Sequence, residues 1–181
     1  MTSLNLKSVK LLRLYLRPPA ANKCWSEVRA VRNLSAERAL QSVQISTIAH
    51  ATDDLEKVQI ALRFILPESL KGKEIFTRKY VQGHHGNPIV TFEAKLTKRQ
   101  EVNQFTDRLT KQLPEKDKLL VKHNLGVYSD DEGNLYIRLS KQQAFRGEIE
   151  LCDEDPIRVR LKFSRLSGGV TELMKTFLES E

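Results

Sequence analysis

Apolar and polar positions along the chain follow two periods, and the stretches where each period holds mark out the elements. Val90, Phe92, Ala94 and Leu96 alternate with Thr91, Glu93 and Lys95, the pattern of a strand with one face buried. Ile157, Val159, Leu161 and Phe163 alternate in the same way with Arg158, Arg160 and Lys162, and Leu135, Ile137 and Leu139 with Tyr136 and Arg138. Strands are therefore predicted over Pro88–Thr97, Leu135–Leu139 and Ile157–Phe163, with less regular ones over Ile45–Ala51 and Glu74–Gln82. Helical spacing takes over at Leu55, Val58, Ala61, Leu62, Ile65 and Leu66, with Asp53 as the expected N-cap, Glu56 three residues on, and Pro67 as the stop. Val102, Phe105, Leu109 and Leu113 make a second helical stripe over Lys98–Leu113. Shorter helices are expected from Pro114 to Lys122, from Lys141 to Phe145, and from Val170 to Glu179 after Gly168-Gly169. Hairpin-linked strands with helices between them predict an α+β domain in two layers, its helices covering one face of the sheet.

Charge changes this picture through its distribution. The 181 residues carry 30 Lys+Arg against 23 Asp+Glu, a formal +7. Residues 1–44 hold eight basic and two acidic side chains, which leaves only +1 for residues 45–181. Affinity for nucleic acid cannot be argued from the total when the body is this close to neutral. Residues 1–44 contain no Asp and include Arg17-Pro18-Pro19. Three readings of this arm stay open: a disordered basic arm that touches nucleic acid, an over-long start with translation beginning near Leu34 or Val43, and a targeting segment or weak helix. The folded domain is predicted over residues 45–181. No apolar run approaches the roughly 18–20 residues of a membrane span, which points to a soluble, cytoplasmic protein with no membrane partner. Cys24 and Cys152 are too few and too far apart for a disulfide framework or a zinc site, and no metal or cofactor is expected.

If the last two strands are neighbours, Tyr136, Arg138, Arg158, Arg160 and Lys162 share the face that the helices leave uncovered. A basic, partly aromatic sheet face holds a phosphate backbone and stacks a base. The competing reading is a solvated face whose charges resist aggregation. Two further basic stretches, Lys71, Lys73, Arg78 and Lys79 around the single acid Glu74, and Arg138, Lys141 and Arg146, would matter if they fell on the same side.

Catalytic signatures are weak. His84-His85 lies between Gly83 and Gly86, but neighbouring side chains diverge and no Cys or acid stands at ligand spacing. His50-Ala51-Thr52 matches one His-x-Thr element of two-histidine phosphoesterases, a chemistry that needs two such elements, and the chain has no second. There is no phosphate-cradling Gly-rich motif and no nucleophile elbow. The acidic triplets Asp130-Asp131-Glu132 and Asp153-Glu154-Asp155 read as solvated turns.

Several phrases taken together carry a resemblance. Ala49-His50-Ala51-Thr52-Asp53-Asp54-Leu55-Glu56-Lys57-Val58, then Gly83-His84-His85-Gly86-Asn87-Pro88-Ile89, then Asp131-Glu132-Gly133-Asn134-Leu135-Tyr136-Ile137-Arg138-Leu139-Ser140-Lys141-Gln142 occur in order, followed by Gly147 and Ile157–Phe163. Over about residues 45–165 the chain resembles the small archaeal RNA-binding protein family described as predicted exosome subunits. The resemblance implies a fold like that of the large-subunit ribosomal protein that binds five-S RNA, a curved, mostly antiparallel sheet with helices on one side. It also implies RNA binding without catalysis, with the exosome or ribosomal proteins as candidate partners. The RNA-contacting residues it brings forward are His84, His85 and Asn87 in the loop, Arg138, Lys141, and the Arg158, Arg160 and Lys162 face. Two other functions stay open: a phosphoesterase or nuclease centred on His50 and His84/His85, and a module whose basic face meets an acidic protein.

Overall fold

Alternating strands with one apolar side need a single covering layer, and the chain supplies it from its own helices. The structure, a computed structural model, describes residues 39–83, 86–164, 174 and 178. The strands are β1 (Leu40–Ala49), β2 (Thr77–Gln82), β3 (Pro88–Leu96), β4 (Asn134–Ser140) and β5 (Pro156–Phe163). The helices among the described residues are α1 (Leu55–Ile65), α2 (Glu68–Lys71), α3 (Arg99–Gln112), α4 (Glu115–His123), α5 (Leu125–Tyr128) and α6 (Lys141–Arg146). All strands join one antiparallel sheet in the order β2-β3-β1-β5-β4. The α+β architecture predicted from the sequence is the one observed.

The apolar halves of β1, β3, β4 and β5 form a common core with Val58, Ala61, Leu62 and Ile65 of α1 and Val102, Phe105 and Leu109 of α3. Phe92, Phe105 and Phe163 are among its fully buried side chains. At about 25 cal/mol per Å² of apolar surface, burial of this kind is the main term that holds the layers together.

The first strand begins at Leu40, five residues before the predicted Ile45. Its pairing slips between Leu40 and Ser42, so the buried positions run Leu40, Val43, Ile45 and the alternation breaks where the strand starts. Its beginning is held from a distance: Leu40 pairs with Phe163, and Ser164 donates to the Ala39 carbonyl at 2.7 Å. The cap of α1 is Asp54, which accepts from the N–H groups of Glu56 and Lys57, and not the predicted Asp53. The one-turn helix α5 has no period long enough to read. Of the predicted terminal helix only Met174 and Leu178 are described, both helical and buried; the rest of it, and the arm through residue 38, lie outside the described residues.

Asp53 is committed elsewhere. Its carboxylate accepts from the His50 N–H at 3.0 Å and from Lys141 Nζ at 3.1 Å. Lys141 opens α6 directly after β4, is only 8% exposed, and also donates to the Ile48 carbonyl at 2.6 Å and to Asp155 at 2.6 Å. Burial pushes the Asp53 carboxyl up, but the His50 N–H and the bond and charge of Lys141 outweigh it and leave it below its ordinary value. One ammonium thus ties the end of β1, the approach to α1 and the turn into β5. Replacing Lys141 by Met should lower the unfolding free energy by about 2–3 kcal/mol in urea titrations, because two carboxylates and a carbonyl lose their shared donor.

Candidate nucleic-acid interface

Register decides which polar side chains meet on the uncovered face. Tyr136 pairs with Arg160 and Arg138 with Arg158 across β4 and β5. On the other side of β5, Arg158, Arg160 and Lys162 stand opposite Ser46, Gln44 and Ser42 of β1. Short polar residues in the middle strand leave a depression beside longer ones. Gln44, Ser46, Tyr136, Arg138, Arg158 and Arg160 line a cleft of about 390 Å³ there. All four cationic side chains from Arg138 to Lys162 named here are exposed. Neither Arg158 nor Lys162 pairs with a carboxylate among the described residues.

Tyr136 is held within the cleft by its hydroxyl. The phenol donates to Asp130 Oδ2 at 2.8 Å and stands beside Arg160, its cross-strand partner. The bond to Asp130, reinforced by burial, raises the phenol above its ordinary value. Asp130 itself closes the turn before β4, accepting from the N–H groups of Glu132 and Asn134 and from the Asn134 amide. The ring of Tyr136 keeps an exposed face, 38% of the residue remaining accessible. At the other end of the same strand, Arg138 Nη1 meets Asp153 Oδ1 at 3.2 Å.

The residues expected to contact RNA are therefore only partly brought together. Tyr136, Arg138, Arg158, Arg160 and Lys162 form one patch. Lys141 does not share it: its ammonium is buried and engaged with Ile48, Asp53 and Asp155, not exposed on the face as expected. Asn87 is exposed at the β2–β3 hairpin, where Gly83 N–H donates to its carbonyl at 2.8 Å and Gly86 takes the positive φ of 77° that the turn requires. Two strands, β3 and β1, separate that hairpin's β2 from β5. His84 and His85 lie outside the described residues. His50 is exposed, its ring 3.8 Å from Asp155 and its N–H given to Asp53.

The other basic stretch divides between the faces. Lys79 lies on the open face and pairs with Glu93 at 2.7 Å. Arg78 lies on the helix side, over the Phe92 ring, in a cleft of about 260 Å³ with Arg63, Lys71 and Lys73. There Lys71 is paired with Glu68, Lys73 with Glu101 and Arg78 with Glu74. What the sequence did not reveal is the part played by Gln44, Ser46, Asp130 and Asp153. The signal that could have found the first two is the polar alternation of Gln44 and Ser46 with Val43 and Ile45; the acids read as turn residues, and only the fold shows that they touch Tyr136 and Arg138. Among the described residues no group of three or more His, Cys, Asp or Glu side chains is arranged to hold a metal ion. Among the same residues no helix is long and apolar enough to cross a membrane.

Among the described residues, a helix layer on one side of the sheet and a basic face left open on the other define the class: an open-faced α+β domain. The chain belongs to the RNA-binding family, whose model, described as RNA binding, matches residues 42–163. An RNA-binding protein of Pyrococcus abyssi is 32% identical to it over 145 residues, covering 77% of this chain and 94% of that one. The crystal structure of a DUF54 protein from Archaeoglobus fulgidus matches with a TM-score of 0.65 at 29% identity, over 77% of this chain and 98% of its own. A DUF54 protein from Methanothermobacter thermautotrophicus matches with a TM-score of 0.56 at 25% identity, over 76% and 93%.

The turn that positions Tyr136 has a pH signature. Burial pushes the Asp130 carboxyl up, but the Asn134 amide, the Asn134 N–H, the Tyr136 hydroxyl and the Glu132 N–H bring it down to about 2. Its folded value lies below the ordinary 3.8, so its stabilisation is complete above about pH 4 and is lost as pH falls through about 2. Asp130→Asn should therefore be less stable than the wild type at neutral pH, and the gap should close between about pH 4 and pH 2 in urea unfolding.

Proposed function

We propose that this protein is a non-catalytic RNA-binding protein whose site is the open face of β4 and β5. Arg138, Arg158, Arg160 and Lys162 neutralise backbone phosphates, and Tyr136, its hydroxyl already occupied, offers its ring to a base. The hairpin loop carrying His84, His85 and Asn87 adds contacts from the far side of the sheet. The observation that carries this reading is the register: it gathers four cations and one aromatic ring on the face the helices leave bare. A body close to neutral binds RNA only where its positive charge is concentrated, because affinity comes largely from phosphates neutralised and counterions released. Arg side chains also suit this task, since the guanidinium fork matches phosphate oxygens and stacks on bases. In the cell we place it as an accessory to RNA processing or degradation, with the exosome as the candidate assembly, or to ribosomal RNA; the support for that role is the family resemblance noted in the sequence.

Fluorescence anisotropy with labelled single-stranded and duplex RNA tests the reading. In the full chain, Arg158→Gln combined with Arg160→Gln should weaken binding about 10–100-fold near 0.1 M salt and reduce the slope of log K against log salt by about 1.5. Tyr136→Leu should weaken single-stranded RNA about 5–50-fold and duplex RNA far less, as expected for a lost stacking platform. Unchanged affinity in the double variant would move the site to the arm or the hairpin. A shortened chain for the same purpose should begin at Asn33, since a start at Ile45 deletes Leu40 and Val43 from the core.

A further inference from the structure

Arg138 and Arg158 are direct cross-strand partners, an arrangement in which two like charges stand about 5 Å apart at their Cβ atoms and destabilise the pair. An anion beside either of them relieves that repulsion, and the structure already places one against Arg138. Asp153 Oδ1 sits 3.2 Å from Arg138 Nη1. Asp153 also lines, with Asp155, Ser46 and Arg158, the cleft on the other side of the pair. The carboxylate is 84% exposed and meets nothing else within hydrogen-bonding distance among the described residues.

Its position is set by the backbone around it. Cys152 N–H donates to the Arg138 carbonyl at 3.0 Å, and Cys152 Sγ reaches the Glu154 carbonyl at 3.2 Å. Asp155 is bound by the buried Lys141 ammonium at 2.6 Å and takes a φ of 44°, the one positive value among the described non-glycine residues. The turn is fastened at both ends, and the acid within it is held against Arg138.

We infer that Asp153 is a resident competitor for RNA: its carboxylate occupies the seat of a backbone phosphate, and RNA binds at this end of the face by displacing it. The inference rests on the open face being the RNA site. An exposed ion pair is weak enough to be exchanged for a phosphate. Its consequence is selective, because a ligand with a single phosphate gains little over the acid it replaces. A strand that brings phosphates to Arg138 and Arg158 together gains both. The acid therefore raises the threshold for stray anions while leaving RNA able to bind.

The test measures binding of a labelled oligouridylate by the full chain across a salt series. Asp153→Asn should tighten binding about three- to tenfold near 0.1 M salt and steepen the salt slope by about 0.7, the increment for one more phosphate neutralised without internal competition. Glu154→Gln removes the same charge one residue away and should change affinity less than twofold. Adding Asp153→Asn to Arg138→Gln should leave affinity where Arg138→Gln put it, since the competitor then has nothing to cover. Equal tightening by Asp153→Asn and Glu154→Gln would overturn the inference in favour of general charge, and unchanged or weaker binding by Asp153→Asn would overturn it in favour of a positioning contact. The Arg158→Gln, Arg160→Gln variant separates the two levels: if it binds normally the face is not the site, and if it fails while Asp153→Asn changes nothing, only the competitor is rejected.

Discussion

The ammonium of Lys141 is the constraint on which the arrangement of the sheet end depends. A buried cation is costly unless its donors are all used, and here they go to a strand carbonyl, a helix approach and a turn. Three stretches that are distant along the chain must meet at one point for this to happen. The loop after β1 is shaped by it, which leaves Asp54 and not Asp53 to cap α1. So is the acidic turn ahead of β5. A buried charge therefore determines where the open face ends and which acid overlooks it.

The near-neutral body becomes intelligible once its charges are sorted by side. Around the α2 and β2 end of the domain, four cations are matched with acids: Lys71 with Glu68, Lys73 with Glu101, Arg78 with Glu74 and Lys79 with Glu93. On β5 they are not, because the residues facing Arg158, Arg160 and Lys162 in β1 are Ser46, Gln44 and Ser42. Net charge is a sum, whereas a polyanion responds to the local field. The same separation accounts for the shape of the cleft, since short neutral side chains beside long basic ones leave room above the central strand.

How much of this was legible in the sequence depended on whether the deciding partner was local. The alternation in β3, β4 and β5 was unbroken, so their faces and the residues on them could be read directly. In β1 the slipped pairing near Ser42 disturbed the period, and the strand seemed to begin at Ile45. Lys141 stood next to Arg138 in a basic stretch and looked like another surface cation; its partners Ile48 and Asp53 lie on the far side of the sequence, and no local pattern announces them. Asp130 and Asp153 had the composition of solvated turns, which they are, but each also reaches back to a strand residue on the open face. The helix caps fell between these cases: an Asp pair was visible before α1, and only the competing demand of Lys141 decided which one served.

The position of β1 also bears on how the molecule is made. It is the first described strand in the chain and the middle strand of the sheet, flanked by β3 on one edge and β5 on the other. During synthesis it can pair with β3 while the rest of the domain is still to come, but its second edge stays bare until β5, the last of the described strands, has left the ribosome. Contacts that join the two ends of a domain are slow to form, and an uncovered central edge is open to wrong partners in the interval. Leu40 and Phe163 close that edge together, so the clasp on the central strand waits for the last of the described strands to be translated.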